Sequence, residues 1–236
     1  MSISRQTSAV AAHAAPAPFD RPVRAWQRML SGRRLDLLDP DPADVEIADI
    51  AHGLARVARW NGQTVGPHAF SVAQHAVIVE EIAVGMAARA EHGRTATDGT
   101  AGWDASCRRA ALLHDAAEYV IGDLISPFKS AIGLDYKAFE LRLMAAIHTR
   151  FGLPPQLPGD VALAIKQADQ IAAYYEATRL AGFSEDEAAT YFGRPSGLPD
   201  GLMTALDGLT AVPAETAQRM FLERFEIVAV AHDGPN

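Results

Sequence analysis

The chain has 236 residues, of which 49% are hydrophobic and 21% charged, an ordinary composition for a globular protein that buries a core of its own. No window approaches the unbroken apolar stretch of a membrane span, and a net charge of -8 argues against binding to long nucleic acid. The single cysteine, Cys107, cannot form an internal disulfide, so the sequence fits a reducing cytoplasm.

The chain divides by composition into a short arm and one domain. Residues 1–20 are rich in Ala, Ser and Pro and are predicted to form a flexible N-terminal arm. Residues 21–236 are predicted to form a single domain, in which about 183–236 make a C-terminal helical extension. The sequence leaves the role of that extension open.

Apolar residues recur at helical spacing through the domain, and no strand-like alternation persists. A first helix is predicted to begin at Asp44 and to end at Asn61-Gly62, and a second begins after the cap Ser71. A third is predicted from Ala105 to Ile121, where Gly122 ends it. Further helices are predicted at Tyr136–Phe151, Val161–Ala181 and Glu215–Val230. The pattern predicts an all-α protein.

The adjacent pair His114-Asp115 is the strongest local signal for chemistry. Its neighbours in the predicted third helix are apolar, and burying a carboxylate with an imidazole is costly unless they are paired or bind a cation. Both side chains can reach one ion from the flank of a helix. A surface pair, or a core histidine with its hydrogen bonds satisfied, is the alternative interpretation.

Three more residues strengthen the hypothesis of a metal site. His75 lies on the apolar face of the second helix, Asp169 lies in the apolar segment IKQADQIAAYY, and Glu118 follows His114 by one turn. Taken singly, such a histidine is more often a core residue, and such an aspartate more often pairs with an arginine. Imidazole and carboxylate ligands without a thiolate suit one divalent transition metal, namely Mn, Co, Fe, Ni or Zn.

The order H…HD…D resembles the HD superfamily of metal-dependent phosphohydrolases, and is most similar to bacterial 5'-deoxynucleotidases and phage-type dATP triphosphohydrolases. The resemblance covers roughly Leu35 to Leu180 and includes the segments ARWNGQT (58–64), SVAQH (71–75), HDAAEYVIGDLISPFK (114–129) and KQAD (166–169). It implies an HD-domain bundle of roughly six to nine helices, with the site between three of them.

The resemblance also implies roles for individual residues. The implied metal ligands are His75, His114, Asp115 and Asp169, and the implied catalytic residues are Glu118, which acts on the attacking water, and Asp123. The implied substrate-binding residues are Arg59, Trp60, Leu124, Ile125, Ser126 and Lys129. In this scheme Arg59 orients the phosphate and Trp60 faces the sugar. Without the resemblance, the alternative interpretations are a surface salt-bridge partner for Arg59, ordinary core packing for Trp60 and a solvated side chain for Lys129.

These residues predict a cytoplasmic enzyme that hydrolyses the 5'-phosphoester of a small nucleotide, with a deoxyribonucleoside 5'-monophosphate as the leading substrate. The alternatives are a dNTP triphosphohydrolase, a di-iron oxygenase of the same fold and a non-catalytic nucleotide-binding module. His148 is the spare histidine for a second metal, and we expect a site with one ion. Arg33 and Arg34 are expected to serve the fold rather than a polyphosphate. Base preference and oligomeric state, a homodimer included, stay open.

Overall fold

Helices make up most of the computed structural model, which describes residues 25–92, 103–123 and 134–230. The predicted arm, residues 1–20, lies outside this part of the chain. The described ranges contain a two-stranded hairpin, β1 (Trp26–Arg28) and β2 (Arg34–Asp36), and 3-10 turns at Pro42–Asp44 and Arg59–Gly62. Their nine α-helices are α1 (Ile47–Leu54), α2 (Val72–His92), α3 (Ala105–Leu112), α4 (Glu118–Ile121), α5 (Leu134–Arg150), α6 (Gly159–Arg179), α7 (Glu185–Phe192), α8 (Asp200–Asp207) and α9 (Ala214–Val230). The all-α prediction is confirmed.

The hairpin is the exception to the helical pattern. Strands β1 and β2 are antiparallel and have three residues each, too few for an alternation of apolar and polar positions to show in the sequence. The Arg34 guanidinium lies over the Trp26 ring at 4.4 Å, and Arg33 pairs with Glu46 at 2.7 Å. Both arginines therefore contact other residues of the fold.

Helix α2 lies at the centre of the bundle. It packs against α1, α3, α6, α8 and α9, and its residues from 72 to 80 are all buried. The Ser71 hydroxyl accepts a hydrogen bond from the Gln74 N–H at 3.2 Å, which confirms the predicted cap. A side chain on the first turns of α2 is therefore held on every side by other helices.

The predicted third helix is interrupted. Helix α3 ends at Leu112, residues 113–117 form turns, and α4 begins at Glu118, so the HD pair lies between two helices and not within one. Hydrogen bonds three residues apart tighten the chain here, from the His114 N–H to Ala111 O (3.3 Å) and from the Ala116 N–H to Leu113 O (2.9 Å). Apolar periodicity cannot reveal this break, because a tight turn keeps nearly the same spacing as a helix.

Helix α4, which follows the HD pair, packs closely against α1, and this contact sets its position. A Cβ atom added at Gly53 would lie 2.8 Å from Tyr119 Cβ and 3.0 Å from Tyr119 O. Such distances are shorter than van der Waals contact, so only glycine allows the two helices to pack at this spacing.

The C-terminal helices belong to the same core as the rest. One cluster of buried apolar residues extends from Met29 to Val228, and α9 packs against α1, α2 and α3. The buried Glu80 carboxylate on α2 accepts a hydrogen bond from Arg108 at 2.6 Å and pairs with Arg224 of α9. The helical pattern does not predict α7 and α8, although Ser184 and Glu187 form a capping box at the start of α7. Across the described ranges, each helix is too short or too polar to cross a membrane.

Candidate metal centre

Three parts of the chain bring their polar side chains to one point. His75 comes from α2, His114 from the turn after α3, and Asp169 from α6. The His75 Nε2 atom lies 3.3 Å from His114 Nε2 and 3.3 Å from Asp169 Oδ1. One ligand atom from each of these residues lies within 4.8 Å of the other two. This group could hold a metal ion.

Asp115 lies against the same two imidazoles. Its Oδ2 atom is 3.5 Å from His75 Nε2 and 3.2 Å from His114 Nε2. Ligand atoms about 2.0–2.2 Å from a shared ion lie about 3.0–3.5 Å from one another. The separations of Asp115 Oδ2 from the two histidines fit two ligands of one small divalent ion, whereas the group whose ligand atoms all lie within 4.8 Å of one another consists of His75, His114 and Asp169.

Hydrogen bonds on the far side of each ring orient both histidines. The His75 Nδ1 atom lies 2.5 Å from a carboxylate oxygen of Glu176, and His114 Nδ1 lies 2.9 Å from the carbonyl oxygen of Ala111. Because these oxygens only accept, each Nδ1 carries the proton, and the lone pair of a neutral ring is then on Nε2. In the neutral state of each ring, the lone pair therefore faces the shared point, as in histidines that bind metals.

The charges around this point favour a cation. Burial opposes ionisation of Asp115 and Asp169, but the adjacent imidazoles hold the pKa of each carboxyl below its usual value. Burial and a nearby guanidinium oppose a charged His75, yet the surrounding carboxylates raise the pKa of His75 well above its ordinary value. A proton on the imidazole supplies positive charge here, and a metal ion would supply it in the same place.

The centre opens to solvent on its carboxylate side. The His75 side chain is completely buried, whereas the side chains of Asp115 and Asp169 are 25% and 34% exposed. An ion or a small ligand can therefore approach across the two aspartates, while the histidines form the closed wall behind them.

Arg59 and Trp60 lie beside the centre in a turn of unusual backbone geometry. The predicted first helix does not reach them, because α1 ends at Leu54 and the pair begins a 3-10 turn. Trp60 and Asn61 have φ values of 57° and 50°, a left-handed conformation that a bulky side chain rarely adopts. Hydrogen bonds from the Arg59 N–H to Phe70 O (2.8 Å) and from the Gln63 N–H to Trp60 O (2.9 Å) hold the turn. Strain of this kind is concentrated at functional sites.

The Arg59 guanidinium lies among carboxylates. Its Nε and Nη2 atoms donate to Glu176 Oε2 at 3.3 and 3.2 Å. Its Nη1 atom lies 3.7 Å from Asp123 Oδ2 and 3.9 Å from Asp115 Oδ2, beyond hydrogen-bond length. Burial opposes its charge, but these carboxylates raise the pKa of Arg59, so the group is a permanent cation next to the candidate metal centre.

The indole of Trp60 is anchored at both ends. Its Nε1–H donates to Glu176 Oε2 at 2.8 Å, and its ring packs against Phe183 at 5.7 Å and Phe192 at 5.9 Å between ring centroids. The side chain is partly exposed. Its orientation is therefore set by the protein, and its contact with a sugar stays a prediction.

Glu176 is the one member of this constellation that the sequence analysis missed. It has no solvent exposure and accepts from His75, Arg59 and Trp60. Burial opposes its ionisation, but the charges of Arg59 and His75 hold the pKa of Glu176 at about 2. The signal was a lone carboxylate in the apolar run AAYYEATRL, two helical turns after Asp169 and so on the same face of α6.

Two of the remaining predicted residues lie in the described part of the chain, and four lie outside it. Glu118 is buried at the start of α4, and Asp123 lies within 3.7 Å of Arg59. The predicted substrate-binding residues Leu124, Ile125, Ser126 and Lys129 lie outside the described residues. The structure thus brings the four predicted metal ligands, Arg59 and Asp123 together.

No family model matches the chain, whereas two bacterial proteins resemble it over most of their length. An uncharacterized protein of Rhodobacter capsulatus is 58% identical over 172 residues, which cover 73% of this chain and 81% of that protein. The chain belongs to the family of that protein. The uncharacterized protein YfdR of Escherichia coli K12 is 29% identical over 182 residues, which cover 77% of this chain and 83% of YfdR.

His148, the spare histidine for a second metal, lies on α5 and its described hydrogen-bond contact is with a backbone carbonyl oxygen. It is buried, and its Nδ1 atom lies 3.3 Å from the carbonyl oxygen of Pro155. Burial lowers the pKa of His148 below its usual value, so the ring is neutral at neutral pH. It packs at the end of α5, where the chain turns toward α6.

Proposed function

We propose that this protein is a metal-dependent phosphohydrolase that cleaves the 5'-phosphoester of a nucleotide, with a deoxyribonucleoside 5'-monophosphate as its leading substrate. The observation that carries the proposal is that His75 Nε2 lies 3.3–3.5 Å from His114 Nε2, Asp169 Oδ1 and Asp115 Oδ2, next to a buried arginine. The order of these residues along the chain resembles the HD phosphohydrolases, which supports the nucleotide as substrate.

The proposed cofactor is one divalent transition metal, Mn, Co, Fe, Ni or Zn, held by His75, His114, Asp115 and Asp169. The fit rests on the oriented Nε2 atoms, on the separation of the donors, and on the mixed imidazole and carboxylate chemistry of the set. When bound, such an ion supplies Lewis acidity toward a phosphoryl oxygen and lowers the pKa of water toward 7.

The side chains of the protein would then bind the phosphate and move protons. Arg59 is charged and lies beside the ligands, so its Nη1 atom can donate to a phosphate oxygen after a small movement. Glu118, four residues after His114 and buried at the start of α4, is the proposed acceptor of the proton from the attacking water. The water oxygen would bond to phosphorus as the bond between phosphorus and O5' breaks, and the departing O5' would receive the proton that Glu118 had accepted from the water.

A phosphate-release screen tests the proposal. The protein is stripped with a chelator, reloaded with Mn²⁺, Co²⁺, Ni²⁺ or Mg²⁺, and assayed with nucleoside 5'-monophosphates of both sugars. Triphosphates are tested in parallel, with chromatography to detect nucleoside and triphosphate as products, because the same ester bond would be cleaved. We expect the fastest release from deoxyribonucleoside monophosphates.

The matched controls are two histidine variants. His114→Ala removes a ligand and should abolish the reaction, whereas His68→Ala removes an exposed histidine and should leave it unchanged. Absence of hydrolysis with every metal and nucleotide, or full activity in His114→Ala, would refute the proposed function.

A further inference from the structure

One buried carboxylate joins the metal centre to the phosphate-binding arginine. Glu176 contacts His75 through one oxygen and Arg59 and Trp60 through the other. We propose that Glu176 is a positioning residue, which holds His75 in the orientation for binding a metal and Arg59 in the orientation for binding a phosphate. The first half rests on the metal centre alone, and the second half rests on the proposed function.

The contact with His75 determines which ring nitrogen of His75 carries the proton and which has the lone pair that can bind a metal. Glu176 Oε1 lies 2.5 Å from His75 Nδ1, and the opposite ring atom, Nε2, lies 3.3 Å from Asp169 Oδ1. If the acceptor at Nδ1 is lost, the neutral ring can carry its proton on Nε2 or rotate away from the centre. Either change withdraws a ligand, which is why such supporting contacts affect metal affinity strongly.

The contacts with Arg59 and Trp60 decide which guanidinium nitrogen faces the site. Two nitrogens of Arg59 donate to Glu176 Oε2, and this leaves Nη1 on the side of Asp115 and Asp123. The Trp60 indole donates to the same oxygen at 2.8 Å and fixes the strained turn from which Arg59 projects. Glu176 therefore determines the direction in which Arg59 presents its remaining donors.

The position of Glu176 along the chain makes this support rigid. Asp169 and Glu176 are seven residues apart on α6, a 21-residue helix that packs along α2. One helix thus supplies a ligand and the carboxylate that orients a second ligand on the neighbouring helix. Sites built on packed helices hold their geometry more closely than sites on loops.

The test is the Mn²⁺ affinity of the full-length protein without any nucleotide. Glu176→Gln keeps the shape of the side chain but loses the charge and one of its two acceptors. We expect the Kd for Mn²⁺ to rise about 10- to 100-fold, the range typical for loss of a contact that supports a metal ligand. Glu80→Gln is the matched control, because Glu80 is equally buried and paired with Arg108 and Arg224 away from the centre. Its Kd should equal that of the wild type.

A structural role alone would give a different result. If Glu176→Gln and Glu80→Gln lower the melting temperature similarly in a chelator and both bind Mn²⁺ like the wild type, Glu176 is only a core residue and the proposal is overturned. Should Glu176→Gln fail to fold, Glu176→Asp decides the question. It keeps the charge but is one methylene shorter, so it cannot span His75 and Arg59, and wild-type Mn²⁺ affinity in this variant would equally overturn the proposal.

Kinetics with dAMP at saturating Mn²⁺ test the second half. Glu176→Gln should raise KM by a larger factor than it lowers kcat, because a misdirected Arg59 weakens binding of the phosphate. A fall in kcat with unchanged KM would exclude this role for Glu176. If the wild type hydrolyses no nucleotide, the proposed function fails, whereas the Mn²⁺ comparison still decides whether Glu176 positions His75.

Discussion

Replacing Arg59 by alanine should destabilise the protein as well as impair its reaction. The Arg59 side chain is 14% exposed and hydrogen-bonded to Glu176, which has no exposure. Removing one partner of a buried ion pair typically costs about 3–5 kcal/mol, because the other charge stays in the core. His75 remains 2.5 Å from the second oxygen of Glu176, so we expect a loss of about 3 kcal/mol in the free energy of unfolding.

Urea denaturation of the metal-free protein measures this loss in the free energy of unfolding. Thermal unfolding gives a second readout: in a chain of this size about 1 kcal/mol shifts Tm by about 2–4 °C, so the Tm of Arg59→Ala should fall by about 6–12 °C. Arg33→Ala is the control, since Arg33 and Glu46 form an ion pair whose side chains are 46% and 26% exposed. Exposed pairs contribute about 0–1 kcal/mol. Equal losses in the two variants would refute the argument from burial.

The same variant has a kinetic prediction. A charge-assisted contact between arginine and phosphate contributes about 1.5–3 kcal/mol, so kcat/KM of Arg59→Ala should fall by about one to two orders of magnitude for every nucleotide. The assay is run well below the lowered Tm, with the metal at saturation. Unchanged kcat/KM would show that Arg59 serves the fold alone.

Four further outcomes are expected. Asp169→Ala should lose most of its bound metal and activity; full metal occupancy by elemental analysis would remove Asp169 from the ligand set. Glu118→Gln should retain the metal, while kcat falls about 100- to 10,000-fold, the usual effect of losing a positioned proton acceptor; loss of the metal as well would make Glu118 a ligand. Trp60→Ala should narrow the ratio of kcat/KM for dAMP over AMP, mainly by improving AMP, and an unaltered ratio would assign the indole to packing. Gly53→Ala should lower the free energy of unfolding by about 1–3 kcal/mol through overlap with α4, whereas Gly201→Ala, with open space around it, should not lower it.

The helices that sequence patterns predict well are the long ones with a buried face. Helix α2 begins after Ser71 as its cap indicates, and α5, α6 and α9 begin and end within two residues of the predicted bounds. The first helix is predicted to begin three residues too early and to end seven residues too late. The late end arises because Val57 and Ala58 continue the apolar spacing although the chain has already left the helix. Apolar spacing indicates which residues face the core. A turn whose side chains also face the core has nearly the same apolar spacing as a helix.

Glu176 illustrates what local patterns leave undetermined at the site. A glutamate in an apolar helical run indicates that something must compensate its charge, but His75, Arg59 and Trp60 lie more than 100 residues away along the chain. The packing of α6 against α2 determines whether the Glu176 carboxylate reaches solvent or is buried in a network of hydrogen bonds. Likewise the left-handed turn at Trp60 depends on tertiary hydrogen bonds that offset the conformational free energy of its strained backbone.

The sequence by itself determined the all-α class, the long helices and a short set of ionisable residues in apolar surroundings, because helical periodicity and the cost of burying charge are both local properties. Only the tertiary structure decided that His75 Nε2 lies 3.3–3.5 Å from His114, Asp169 and Asp115, and that the HD pair projects from a turn between α3 and α4. Distances between side chains on different helices depend on how those helices pack, and packing is a property of the whole core.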